Sequence, residues 1–203
     1  MRATALDVPH AVLIEPVVHR DARGEFLEWF RADRLAEATG RSFELLQANL
    51  SVSSRGTVRG VHFADVPRGQ AKYVTVVAGS IVDILVDLRV GSPEFGRSVA
   101  VELDSREHRA LFVPEGVGHL FAVTSDEATV CYLATDVYKP ESEHTVSPFD
   151  PELALAIPDP ASAVLSTRDA EAPMLAEARE RGLLPDWEAC LARYAEAATG
   201  AAA

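Results

Sequence analysis

Between about residues 11 and 138 short apolar runs alternate with turn residues, the signature of strands rather than helices. The pattern predicts strands over 11–18, 25–30, 43–51, 57–63, 72–78, 80–90, 98–103, 109–114, 120–124 and 129–138. Gly24, Gly56, Gly79, Gly91, Gly96 and the segment 114–118 punctuate them. One helix is predicted in this half, over 31–39 (RADRLAEAT). After Asp150-Pro151 alanine and glutamate become more frequent, and two short helices are predicted over 173–181 and 186–198. Pro173 suits a first helical turn, Gly182 suits a helix stop, and the tail GAAA is expected to fray. Many short strands at near-regular spacing define a mainly β sandwich or barrel. The chain is thus expected to be one domain over 1–203, with a barrel core over about 10–140 and a helical appendage over about 170–198.

Successive strand residues face opposite ways, so the spacing also sorts side chains. Tyr132, Asp136 and Tyr138 are expected on one face, and Cys131, Leu133 and Val137 on the other. Gln47 is paired with Asn49, and Phe26 with Glu28, by the same rule. Polar residues sharing a face with aromatics inside a barrel predict a lined pocket rather than a dry core.

Composition narrows the partners. The chain has 203 residues and a formal net charge of −12. Duplex nucleic acid and anionic membrane surfaces need basic patches, and this balance argues against both. The start, MRATALDVPHAVLIEP, lacks a signal-peptide apolar run, and no stretch is long enough to span a bilayer as a helix. Cys131 and Cys190 show no metal-ligand spacing, so a cytoplasmic protein with two unpaired thiols is expected.

Against this acidic background the segment Arg59-Gly60-Val61-His62-Phe63, followed by Gln70-Ala71-Lys72, places two cations close to a histidine. Imidazole is the usual general base near neutral pH, and nearby cations suit an anionic substrate. A tyrosine facing that histidine across a cavity, Tyr132 or Tyr138, supplies an acid opposite a base, which is what inversion at a carbon by proton removal and return requires. Arg23, Arg59 and Lys72 together offer charge for a phosphate or diphosphate, since no glycine-rich phosphate loop is present. Pro114-Glu115-Gly116-Val117-Gly118-His119 matches half of a cupin metal signature, but His62-Phe63-Ala64 does not supply the other half. No metal site is therefore expected, and His119 reads as a hydrogen-bonding pocket wall. Asp169, in Leu165-Ser166-Thr167-Arg168-Asp169, reads locally as a loop or cap residue.

Taken in order, RG-EFLEWF, QANLSVSSRGTVRGVHF, QAKYVTVVAGSIVDILVDLRVGSPEFG, PEGVGHLF, YLATDVY and LSTRD resemble the dTDP-4-dehydrorhamnose 3,5-epimerase family over about residues 10–187. FADVPRGQAKYVT and the LLPDWE ending look closest to actinobacterial members. The resemblance implies a cupin-type double-stranded β-helix (jelly-roll barrel) with short C-terminal helices, a homodimer with strand exchange, and epimerisation without metal or cofactor. It implies dTDP-4-dehydro-6-deoxy-D-glucose as substrate, inverted at C3 and C5 to dTDP-4-dehydro-L-rhamnose. By position it makes His62 the base, Asp169 its orienting partner, Tyr132 the opposite-face acid and Lys72 the cation near the C4 oxygen. It makes Arg23, Phe26, Glu28, Gln47, Asn49, Arg59, His119, Tyr138, Glu143 and Arg168 substrate contacts, with Arg23 and Glu28 reaching nucleotide bound mainly to the partner subunit.

Some residues depart from the family pattern. Gly118-His119-Leu120-Phe121 replaces Ala-His-Gly-Phe, Ala156-Ile157-Pro158 replaces Asp-Trp-Pro, and His144 follows Glu143 where many relatives carry arginine. These changes lie outside the acid–base set, but leave open a 3-only or 5-only epimerase of antibiotic-sugar biosynthesis. A non-catalytic sugar-nucleotide-binding cupin and a metal-dependent cupin oxygenase are the readings from other classes.

Overall fold

The computed structural model describes residues 1–67 and 69–199. The tail expected to fray, 200–203, lies outside them. Among the described residues thirteen strands are formed: β1 (Arg2–Ala5), β2 (Val12–Glu15), β3 (Val18–Asp21), β4 (Gly24–Leu27), β5 (Gln47–Ser54), β6 (Val58–Ala64), β7 (Lys72–Ala78), β8 (Ser80–Asp87), β9 (Ser98–Asp104), β10 (Ala110–Val113), β11 (Val117–Val123), β12 (Glu127–Ala134) and β13 (Glu143–Thr145). The α-helices are α1 (Ala32–Thr39), α2 (Thr167–Ala170), α3 (Leu175–Glu180) and α4 (Trp187–Thr199). Among the described residues no helix is long and apolar enough to cross a membrane.

The strands form two facing antiparallel sheets, a cupin-type sandwich. One has the order β1-β2-β10-β7-β12-β5, the other β13-β6-β11-β8-β9, and β3–β4 stand apart as a hairpin. Between the sheets lie Val74, Val76 and Val130 from one and Ile81, Leu85 and Phe121 from the other. The outward face of the second sheet carries Val58, Val61, Phe63 and Ile84, and the C-terminal chain covers it with Leu153, Ile157, Leu175 and Ala178. Each such side chain contributes roughly 1.5–3 kcal/mol when taken out of water. The stretch from Val146 to Leu184, with α3, is therefore a lid on one sheet and fixes where residues 165–170 lie, while α4 packs elsewhere, Tyr194 donating to the Glu115 carbonyl and Ser42 to that of Ala197.

Several predicted boundaries are corrected. Pro16, which lacks the N–H a strand ladder uses, splits 11–18 into β2 and β3. The strand at 43–51 begins only at Gln47, because Phe43 packs instead with Leu35, Tyr73 and Phe112. β4 stops at Leu27, so Glu28 is off the strand and does not share a ladder face with Phe26. β12 stops at Ala134, so Asp136 and Tyr138 belong to the following loop rather than to the face of Tyr132. The sequence pattern missed β1, β13 and α2; β13 and α2 are too short to show a period.

β5 reverses the usual pattern. Gln47, Asn49, Ser51 and Ser53 turn toward the interior, while Leu50 and Val52 are 64% and 52% exposed on the outside. Leu50 lies opposite Cys131 of β12, and Val77 is exposed on β7, on the far side of β12. Cys131, half-buried, thus faces outward rather than filling the core.

Candidate active site

The site starts from an irregularity in β6. Arg59 pairs with Phe121 and His62 with His119, so three steps on β6 match two on β11. Strict alternation puts Arg59 and His62 on opposite faces; the β-bulge restores both to the inner face. Val58, Val61 and Phe63 accordingly pack on the outer side. Gly60 occupies the bulge at φ +122, and a Cβ there falls 2.4 Å from the His119 carbonyl oxygen. No residue but glycine fits without moving backbone.

Cross-strand partners place Thr145, His62, His119 and Leu85 in one row across β13, β6, β11 and β8. His62 Nε2 lies 2.6 Å from Asp169 Oδ1. Asp169 is buried on α2, where its backbone N–H donates to the Ser166 hydroxyl, and the Gly60 backbone favours its charged form. Burial raises the Asp169 pKa, but the bond to His62, its charge and these further contacts outweigh burial, and the carboxyl lies below the ordinary aspartate value. The carboxylate thereby fixes the direction of the imidazole.

The opposite wall comes from the other sheet. Tyr132 pairs with Asn49 and Val74, and Ala134 with Gln47 and Lys72, so two inward rows meet at β12. Burial raises the Tyr132 phenol, the charge of Glu143 raises it further, and Arg59 partly opposes both. A buried phenol is held protonated, as a proton donor must be. Lys72 is half-buried; burial lowers its pKa, Glu143 and Asp83 oppose that, and Arg168 adds to it. The charge of Glu143 on β13, in the other sheet, thus acts on both Lys72 and Tyr132.

Arg59 donates through Nε and Nη2 to Ser53 Oγ at 3.1 and 3.0 Å, crossing from one sheet to the other. His119 is buried with Nε2 2.9 Å from Asp83 Oδ2. Asp83 is fully buried and its Oδ1 has no hydrogen-bond partner. Sequence reading missed Asp83 because it sits in an apolar strand, SIVDILVD; an acid in such a strand was the available signal.

Of the other expected residues, Arg23, Phe26 and Glu28 are not brought into this cluster within the chain, while Arg168, whose charge acts on Lys72, and Tyr138 stand at its edge. Arg23 is on the exposed β3–β4 hairpin, bound to Asp21 at 2.6 Å, so it does not join Arg59 and Lys72 in one cation cluster. Phe26 on that hairpin is exposed, and Glu28 pairs with Arg31 at 3.3 Å. Tyr138 stands at the rim, 54% exposed. Arg168 is exposed on α2 beside Asp169. Among the described residues no three His, Cys, Asp or Glu side chains are grouped to hold a metal ion.

Two sheets packed face to face, with a helical cover on one, define a cupin-type barrel protein with a polar interior site. The family described as dTDP-4-dehydrorhamnose 3,5-epimerase matches residues 5–177, and the chain belongs to that family of isomerases. It is 52% identical to a dTDP-4-dehydrorhamnose 3-epimerase from Streptomyces niveus, covering 95% of this chain and 92% of that one. It is 48% identical to a dTDP-4-dehydrorhamnose 3,5-epimerase from Mycolicibacterium smegmatis, covering 95% and 94%. A solved epimerase structure from Mycobacterium tuberculosis superposes with a TM-score of 0.95 at 46% identity, covering 97% of this chain and 100% of that one.

Proposed function

We propose that the chain inverts C3 and C5 of dTDP-4-dehydro-6-deoxy-D-glucose, giving dTDP-4-dehydro-L-rhamnose. The observation that carries this reading is the His62–Asp169 pair on one wall of the barrel, with Tyr132 and Lys72 on the other. Both carbons are α to the C4 ketone, so one arrangement serves twice. His62 takes the α-proton, with its ring held by Asp169. The electron pair moves onto the C4 oxygen, where the Lys72 ammonium balances the enolate charge. Tyr132 returns a proton to the opposite face, and both groups re-equilibrate with solvent. Each role asks for the protonation state that burial favours for Tyr132 and that its neighbours, against burial, favour for Asp169.

Arg59 is the cation that holds the diphosphate, and Gln47, Asn49, His119, Tyr138, Glu143 and Arg168 are further substrate contacts. Arg23, Phe26 and Glu28 project from this chain on or beside an exposed hairpin, which fits a role at a partner subunit's nucleotide. The outward apolar residues of β5, the last strand of its sheet, support a homodimer: Leu50 and Val52 expose surface that a second copy removes from water. The test is NMR of product formed in D₂O. Deuterium at C3 and C5 with both centres inverted supports the reading; a wild-type protein that exchanges neither proton overturns it.

Inversion at C3 alone is the second reading. It is favoured by the Streptomyces niveus relative, named a 3-epimerase at 52% identity. The same spectrum separates the two, since one centre then keeps its configuration.

A further inference from the structure

The β3–β4 hairpin stands apart from both sheets, yet its turn and second strand carry Arg23 and Phe26, two residues expected at a partner subunit's nucleotide. A lone two-stranded hairpin is marginally stable in water, so its direction has to be set from outside. Its base is fixed: the Tyr73 hydroxyl donates to the Trp29 carbonyl at 2.7 Å, and the Trp29 and Phe30 rings pack beside Tyr73. The turn lies at the other end.

The register divides the hairpin into two faces. Val18 pairs with Leu27 and Arg20 with Glu25 on one; His19 pairs with Phe26 and Asp21 with Gly24 on the other. Phe26, on the second face, is exposed. Glu25, on the first, accepts from Arg20 Nε at 2.9 Å with one carboxylate oxygen, and its other oxygen lies 2.8 Å from His108 Nε2. Among the described residues, this is the one hydrogen bond or ion pair that ties the hairpin to the rest of the chain. The bond to His108, and next that to Arg20, holds the Glu25 carboxyl below the ordinary glutamate value. His108 in turn sits on a well-bonded mount between β9 and β10. The Asp104 carboxylate accepts the N–H groups of Arg106 and Glu107 at 2.8 Å each, and Arg109 Nη2 donates to the Glu102 carbonyl at 2.7 Å. His108 itself has φ +55, in the left-handed region.

We infer that His108 is a positioning residue: through Glu25 it sets the direction in which the hairpin presents Arg23 and Phe26 to nucleotide in a partner subunit. The inference rests on the homodimer of the proposed function, and its test separates the two. His108→Asn and His108→Gly both suit a left-handed backbone and leave Glu25 paired with Arg20, so turn and ladder remain while the tie is lost. Hydrogen exchange over residues 18–27, read by mass spectrometry, needs no turnover. Exchange is expected to quicken about threefold in both variants, the size of one partly exposed charge pair. His108→Arg keeps a cation within reach of Glu25 and is expected to restore slow exchange. Calorimetric titration with dTDP reads the consequence: His108→Asn should raise Kd about threefold, but less than about 1.5-fold in the Arg23→Ala/Phe26→Ala background. On the 4-keto sugar nucleotide KM should follow Kd, with kcat changed less than about 1.5-fold. Unchanged exchange in both His108→Asn and His108→Gly overturns the inference, as does an equal rise in Kd in both backgrounds. If Arg23→Ala/Phe26→Ala leaves the affinity for dTDP unmoved, the hairpin's contribution to a partner site fails and the inference with it. If that pair of changes weakens dTDP and His108→Asn does not, the inference alone fails.

Discussion

His62 and His119 face each other directly across the β6–β11 pair, yet their ring nitrogens turn to different carboxylates, Asp169 and Asp83. Two imidazoles side by side are thus bound to different acids. Asp169 arrives from the C-terminal cover and directs His62; Asp83 comes from the sheet itself and leaves its second oxygen unpartnered among groups facing Lys72.

The His62–Asp169 pair predicts an all-or-graded pattern of loss. His62→Ala abolishes deuterium incorporation from D₂O at the sugar carbons. Asp169→Asn keeps the shape but removes the charge that orients the ring, and lowers kcat by roughly 10²- to 10⁴-fold. Because the Asp169 carboxyl is depressed, its stabilising contribution is present above the ordinary aspartate pKa and lost as pH falls through the lower folded value. Acid denaturation monitored by circular dichroism should therefore show Asp169→Asn losing less stability than wild type over that low-pH interval.

Tyr132 predicts a separation of exchange from inversion. Without its hydroxyl the base still removes and returns protons on one face. Tyr132→Phe should incorporate deuterium with retained configuration while its inverted product falls by about 10²-fold or more. Proton NMR coupling patterns distinguish retention from inversion.

Lys72 predicts the alkaline limb of the pH profile. Burial lowers its pKa while burial raises that of Tyr132, so loss of the ammonium is expected to set the limb. The limb should lie below the ordinary lysine value and move to higher pH in Lys72→Arg, whose charge persists. In Asp83→Asn one of the two negative charges favouring the ammonium is gone, and the limb should move lower. A pH–kcat series on the three proteins checks both directions.

The outward face of β5 predicts the assembly. Leu50→Asp with Val52→Asp places charges where a second copy is proposed to pack, and the dimer should dissociate to monomers in sedimentation velocity at micromolar concentration. A wild-type protein that is already monomeric there removes the basis for the hairpin's contribution to a partner site.

The bare sequence made most of the strand ladder legible, since the runs at 72–78, 80–90 and 98–103 are long enough for alternation to show. It also determined the residue types of the site: a lone histidine between cations in an acidic chain, and a tyrosine in a facing strand. Resemblance added Asp169, which nothing local marks. Tertiary structure decided what alternation cannot express. The bulge at Gly60 turns Arg59 and His62 to the same side, although their odd spacing says otherwise. Docking of the C-terminal chain brings Asp169 to a histidine 107 residues away, and the early end of β12 detaches Tyr138 from the face of Tyr132 and leaves it to Gln47. Alternation is a local property of an extended backbone; a bulge, a docked cover and a loop anchored by a side chain depend on contacts between distant segments, which only the packed fold supplies.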